Sequence, residues 1–109
     1  MTSDAKYSII KTEDEKMKHY ILVKLNDSSM RDEVAAKAKE IFEETLAIPG
    51  VHSVKVKKSC SEIENRYDVM ILMDIEPQVL PVYDKSDAHQ RWKKFCDPLQ
   101  QSKAIFDCI

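Results

Sequence analysis

A single glycine, Gly50, in 109 residues excludes the loops that cradle phosphates on backbone amides, because such loops need glycine wherever the chain closes on its ligand. Neither a P-loop nor a dinucleotide fingerprint can be written with these residues. Long apolar runs are lacking too. The longest aliphatic stretch, residues 69–73, falls far short of the roughly 20 residues that span a bilayer. The first sixteen residues interleave Asp4, Lys6, Lys11, Glu13, Asp14, Glu15 and Lys16 with no apolar centre of leader length, which predicts no secretory signal. Cysteine is scarce as well: Cys60, Cys96 and Cys108 form no C-x-x-C pair, and an odd number cannot all be bridged within one chain. That pattern suits a reducing, cytoplasmic compartment. Neither the cysteines nor the three histidines have zinc-ligand spacing, so no metal and no other cofactor is expected. Nor does either sign of charge dominate. Seventeen basic against nineteen acidic side chains leave a formal net charge of -2, which gives no field for a nucleic-acid partner.

What remains, 33% charged and 43% hydrophobic residues, is the mixture of one soluble globular domain. A chain of this length buries roughly two thirds of its unfolded surface and folds without staples. Residues 1–16 read as a flexible extension with at most one edge strand, at residues 7–10, and residues 17–109 as the folded domain. Residues 19–25 alternate as a strand whose two faces are both apolar, Ile21, Val23 and Leu25 on one side and Tyr20 and Leu22 on the other. Asn26, Asp27, Ser28 and Ser29 supply helix-capping chemistry. Val34, Ala38, Ile41, Phe42, Thr45 and Leu46 then recur at helical spacing until Pro49 and Gly50 end the helix. A second strand, residues 51–58, places His52, Val54 and Val56 on one face and Lys55 and Lys57 on the other, as a lysine-protected edge does. The third, residues 67–75, is apolar on both faces, with Val69, Ile71, Met73 and Ile75 opposite Met70 and Leu72. A short helix after Pro77 is expected to break at Pro81. Ser86 or Asp87 caps another helix that carries Ala88, Trp92, Phe95 and Leu99, and residues 103–109 form a last strand.

The order β-α-β-β-α-β implies an α+β, ferredoxin-like sandwich: a four-stranded antiparallel sheet with both helices on one face. Two helices cover only one side of such a sheet. Tyr20, Leu22, Met70 and Leu72 load the other, and each contributes about 1.5–3 kcal/mol if buried. A homodimer joined sheet face to sheet face follows as the expected partner.

Several segments resemble the stress-responsive α/β-barrel domain family. They are Lys18-His19-Tyr20-Ile21-Leu22-Val23-Lys24-Leu25 in the first strand, Ile48-Pro49-Gly50-Val51 before the second and Tyr67-Asp68-Val69 opening the third. Tyr83-Asp84-Lys85-Ser86-Asp87-Ala88-His89-Gln90 at the second helix and Ala104-Ile105-Phe106-Asp107-Cys108 at the end complete the set. The resemblance runs from Met17 to the C-terminus and implies a dimeric α+β barrel. Most members of that family have no assigned reaction. One that does is a plant polyketide cyclase, olivetolic acid cyclase, which closes a linear polyketide by an aldol step. Its histidine at the start of the first strand is matched by His19, and its tyrosine and histidine around the second helix by Tyr83 and His89. Val69 stands where that enzyme has a further histidine, and Ser86 where the family commonly has the first histidine of H-P-x-H.

His19 shares a strand face with Ile21, Val23 and Leu25 and points toward the helices that carry Tyr83 and His89. An imidazole takes or gives a proton near neutral pH, and a phenol donates to a developing enolate oxygen. His89 as base, with Tyr83 and His19 as orienting donors, suffices for proton abstraction beside a carbonyl. Ile21, Val23, Val69, Ile71 and Trp92 are the expected apolar walls. Two functions follow. One is binding of a small apolar or aromatic ligand between sheet and helices. The other is cofactor-independent cyclase, isomerase or lyase chemistry. An RNA-binding sheet of the same topology needs glycine-flanked aromatics, and an acylphosphatase needs a glycine-rich phosphate loop; the chain has neither.

Overall fold

The computed structural model describes residues 16–109, so the strand expected at residues 7–10 lies outside the described residues. The elements are β1 (Met17–Leu25), α1 (Arg31–Glu44), β2 (Val51–Lys58), β3 (Val69–Ile75), α2 (Leu80–Asp84), α3 (Asp87–Cys96) and β4 (Gln100–Cys108). All strand pairs are antiparallel and the sheet order is β2-β3-β1-β4. This is the α+β, ferredoxin-like arrangement of the sequence pattern, with β1 and β3 central.

Local chemistry explains most boundaries. Asp27 accepts from the Ser29 amide at 3.0 Å and turns the chain out of β1 toward α1. That helix buries Val34, Ala35, Ala38, Ile41 and Phe42 against the sheet. Its exit needs Gly50, whose φ is +100° and whose missing Cβ would sit 2.3 Å from Val79 Cγ2. Any other residue would be strained there and would collide.

Several expectations shift by small amounts: the last strand is Gln100–Cys108 and not 103–109, and the first helix ends at Glu44, before Thr45 and the exposed Leu46. In β2 the register slips between Val51 and Ser53, a bulge that buries Val51 and leaves His52 exposed, 2.8 Å from Glu76. His52 therefore does not share the inner face of Val54 and Val56. Pro81 does not break its helix but sits in the first turn of α2, where no amide hydrogen is required. Leu99 lies beyond α3, which stops at Cys96 shortly before Pro98, and its carbonyl instead accepts from the Asn26 amide at 2.9 Å. The third strand begins at Val69 rather than residue 67, because Asp68 is wholly buried as an acceptor for the Leu25 amide and Arg31 Nε, both at 2.7 Å.

The core lies between the sheet and the helices. Phe42 packs edge-on against Trp92 with centroids 5.3 Å apart, and Tyr83 stands 6.2 Å from Phe42. On the opposite sheet face Tyr20 and Leu22 pair with Leu72 and Met70, and with Phe106 and Ala104 of β4. These side chains are only half-buried, except Phe106, which is 60% exposed. Among the described residues no helix is long and apolar enough to cross a membrane.

Candidate functional site

A cavity of about 290 Å³ opens between the helices α2 and α3 and the strands β1 and β4. Its location follows from the sheet order: β4 is an edge strand, so the helices cover its inner face less fully than those of β1 and β3. His19, Tyr83 and His89, which are 64 and 70 positions apart along the chain counting from His19, all line this one space.

His19 is 6% exposed, and the register of β1 and β4 sets Asp107 directly opposite it. His19 Nδ1 and Asp107 Oδ1 are 2.5 Å apart. An ionised carboxylate only accepts, so Nδ1 carries a proton and donates it. The His19 ring meets Tyr83 edge-on at 5.8 Å, and Tyr83 in turn lies 4.8 Å from the His89 ring. His89 Nδ1 is 2.9 Å from the carbonyl of Asp84. A carbonyl cannot donate, so Nδ1 carries a proton, and in the neutral ring the lone pair falls on Nε2. Ser86 locks the local backbone: its hydroxyl accepts from the His89 amide at 3.2 Å and donates to the Tyr83 carbonyl at 2.7 Å.

Tyr83 is fully buried, and its hydroxyl has no hydrogen-bond partner among the described residues. Burial, with a smaller contribution from the Asp84 charge, pushes the phenol above its ordinary value of 10.0. It stays a protonated donor throughout the neutral range. The arrangement thus offers one hydroxyl that can donate, one imidazole nitrogen that can accept a proton, and a histidine held by a carboxylate.

Of the apolar residues expected to line the site, Ile21 and Trp92 do so. Val23, Val69 and Ile71 do not. They are at most 2% exposed and pack in the core, because β1 and β3 are the central strands of the sheet. The walls come instead from Leu80 and from β4, where Lys103, Ile105 and Asp107 alternate along the inner face. Sequence reasoning missed Asp107, Asp84 and Lys103. Strand alternation could have placed Lys103 and Asp107 beside Ile105, opposite Ala104 and Phe106. Among the described residues no three His, Cys, Asp or Glu side chains group as metal ligands would.

No curated protein matches the chain in sequence. Solved structures do share its shape. A dimeric protein of unknown function and ferredoxin-like fold from Bacteroides fragilis superposes with a TM-score of 0.73 at 18% identity, covering 85% of this chain and 94% of that one. A dimeric ferredoxin-like protein of unknown function from Thermobifida fusca gives 0.71 at 14% identity, over 85% and 89% of the two chains. An antibiotic biosynthesis monooxygenase gives 0.67 at 12% identity, over 85% and 96%. Identities this low speak for the fold alone. Sequence carries the assignment further: residues 17–109 match the stress responsive A/B barrel domain, and the chain belongs to that family.

Proposed function

We propose that the cavity between α3 and β4 receives a small ligand that is apolar or aromatic over most of its surface and bears one carbonyl or hydroxyl oxygen. The observation that carries this reading is Tyr83, a residue of that cavity's wall whose hydroxyl is buried without a partner. A buried donor left unpaired costs about 1–3 kcal/mol, a cost that a ligand oxygen accepting from it offsets. Ile21, Leu80, Trp92 and Ile105 supply the apolar surroundings.

The His89 tautomer favours a second reading at the same place. With Nε2 free to accept, His89 is the base and Tyr83 the donor for proton transfer next to a carbonyl, as in a cofactor-independent isomerase, lyase or polyketide-cyclase-like enzyme. His19, held by Asp107, orients the bound oxygen. A second copy of the chain completes the proposed assembly, covering the apolar sheet face of Tyr20, Leu22, Met70 and Leu72. The half-exposure of those side chains and the dimeric solved structures of the same fold support it.

A thermal-shift screen of small aromatic and aliphatic carbonyl compounds tests the binding reading, run on the wild type and on Tyr83→Phe and His89→Ala variants shown to be folded. Hits weakened by either substitution support it. Hits indifferent to both, or none with a folded protein, overturn it. For the catalytic reading, deuterium uptake from solvent at the carbon beside the ligand carbonyl is expected in the wild type and lost in His89→Ala.

A further inference from the structure

We propose that Lys103 makes this cavity selective for organic carboxylates, pairing with the ligand's acid group while its carbonyl or hydroxyl oxygen sits at the His19, Tyr83 and His89 end. The inference rests on the cavity being a ligand site and adds the charge and reach of what enters it.

Charge is the first support. Lys103 lines the cavity and is its one basic side chain other than the histidines. Among the described residues no carboxylate lies within ion-pairing distance of its ammonium group. The two acidic residues of the lining lie at the far end. Asp107 is taken up by His19, and Asp84, whose backbone carbonyl holds His89, keeps a carboxylate near Tyr83 that disfavours an anion there. An anion therefore meets an uncompensated cation at one end of the space only.

Position is the second. Lys103, Ile105 and Asp107 face the same side of β4, opposite Val23, Ile21 and His19 of β1. Four residue steps along the strand separate Lys103 from Asp107, about 14 Å between their backbones. Helix α3 runs alongside in the opposite sense. His89 is near its start, beside Tyr83, and Cys96 at its end feels the charge of Lys103. The cavity has a proton-transfer end and a cationic end, with Ile105 and Trp92 lining the space as apolar walls. A molecule that satisfies both ends carries an oxygen and a carboxylate at opposite ends of an apolar or aromatic body.

The test uses a matched pair of probes, 4-(4-acetylphenyl)butyrate and its methyl ester, titrated calorimetrically into wild type, Lys103→Met and Lys103→Arg. Lys103 is exposed, so the variants are expected to fold, which thermal melts check. Wild type should prefer the acid by about tenfold, and the preference should shrink as salt is raised. Lys103→Met should bring acid and ester together, and Lys103→Arg should keep them apart. Tyr83→Phe should weaken both probes alike, because it acts at the oxygen end. Equal binding of acid and ester to wild type overturns the carboxylate assignment while leaving the ligand site standing. An acid preference that survives in Lys103→Met overturns the role of Lys103. Failure of both probes to bind folded wild type counts against the ligand site itself, and this inference goes with it.

Discussion

Tyr83 is in conflict with its surroundings. Its ring fills the core between Phe42 and the two histidines, which stabilises the fold, while its unpartnered hydroxyl subtracts from that stability. Replacing it with phenylalanine should therefore raise the stability of the unliganded protein by about 1 kcal/mol, read by urea denaturation, while weakening any ligand that accepts from it. Such opposite signs are the mark of a residue kept for function and not for folding. The same burial gives an alkaline signature. Tyr83 is held above 10.0, and burial with the Asp97 charge pushes the Cys96 thiol from 9.0 up to about 11. In the unfolded chain both groups ionise first. Their contribution is fully present below about pH 9 and is lost as pH rises through the folded values. Stability should fall from about pH 9 upward, and Tyr83→Phe should flatten the part of that fall above pH 10.

Among the elements, the join between α2 and α3 matters most to the site, because it sets the spacing of Tyr83 and His89. Ser86 binds the backbone of both residues. Ser86→Ala should cost about 1 kcal/mol in chemical denaturation, as loss of a helix cap does, and should blunt ligand binding without touching the ligand. This cap was legible in the sequence, as were the identity and order of every strand and long helix, because each rests on local periodicity or on a side chain reaching its own neighbours. Apart from Pro81, whose place in the first turn of α2 is a local matter, the misplaced details are mostly those in which a distant segment decides. The β2 bulge depends on pairing with β3, and the early entry into β3 is governed by Asp68, whose partners Leu25 and Arg31 come from elsewhere in the chain. The His19–Asp107 pair spans 88 positions. Alternation puts Asp107 on a face, but only the register of β4 on β1 puts it opposite His19. His19, Tyr83 and His89 could be named beforehand from the family resemblance, whereas their shared cavity emerges only from the sheet order.

For the whole molecule, the decisive quantity is the area of apolar sheet left uncovered. Tyr20 and Phe106 touch across the β1–β4 pair, and Leu22, Met70 and Leu72 continue the patch inward. Lysines 55 and 57 on the edge strand lie beside Leu72 and Met70, forming a charged border along one side. Leu72→Asp places a charge at the middle of this face without entering the core. It should convert a dimer at micromolar concentration to a folded monomer in sedimentation velocity. A variant that sediments like the wild type, or a wild type that is monomeric throughout, would exclude association through this face.

Strand β4 serves two surfaces by simple alternation. Lys103, Ile105 and Asp107 look into the cavity, and Ala104, Phe106 and Cys108 look out from the bare side of the sheet. Insertion or deletion of one residue between Ser102 and Lys103 would exchange the two sets at a stroke, driving Phe106 inward and turning Lys103 and Asp107 outward. The irregularity opposite Lys24 and Leu25 lies ahead of that stretch and can absorb a change of length before it. Beyond it the strand can vary in its letters but not in its count, so natural length variation in relatives should gather before Ser102 and leave residues 103–108 ungapped.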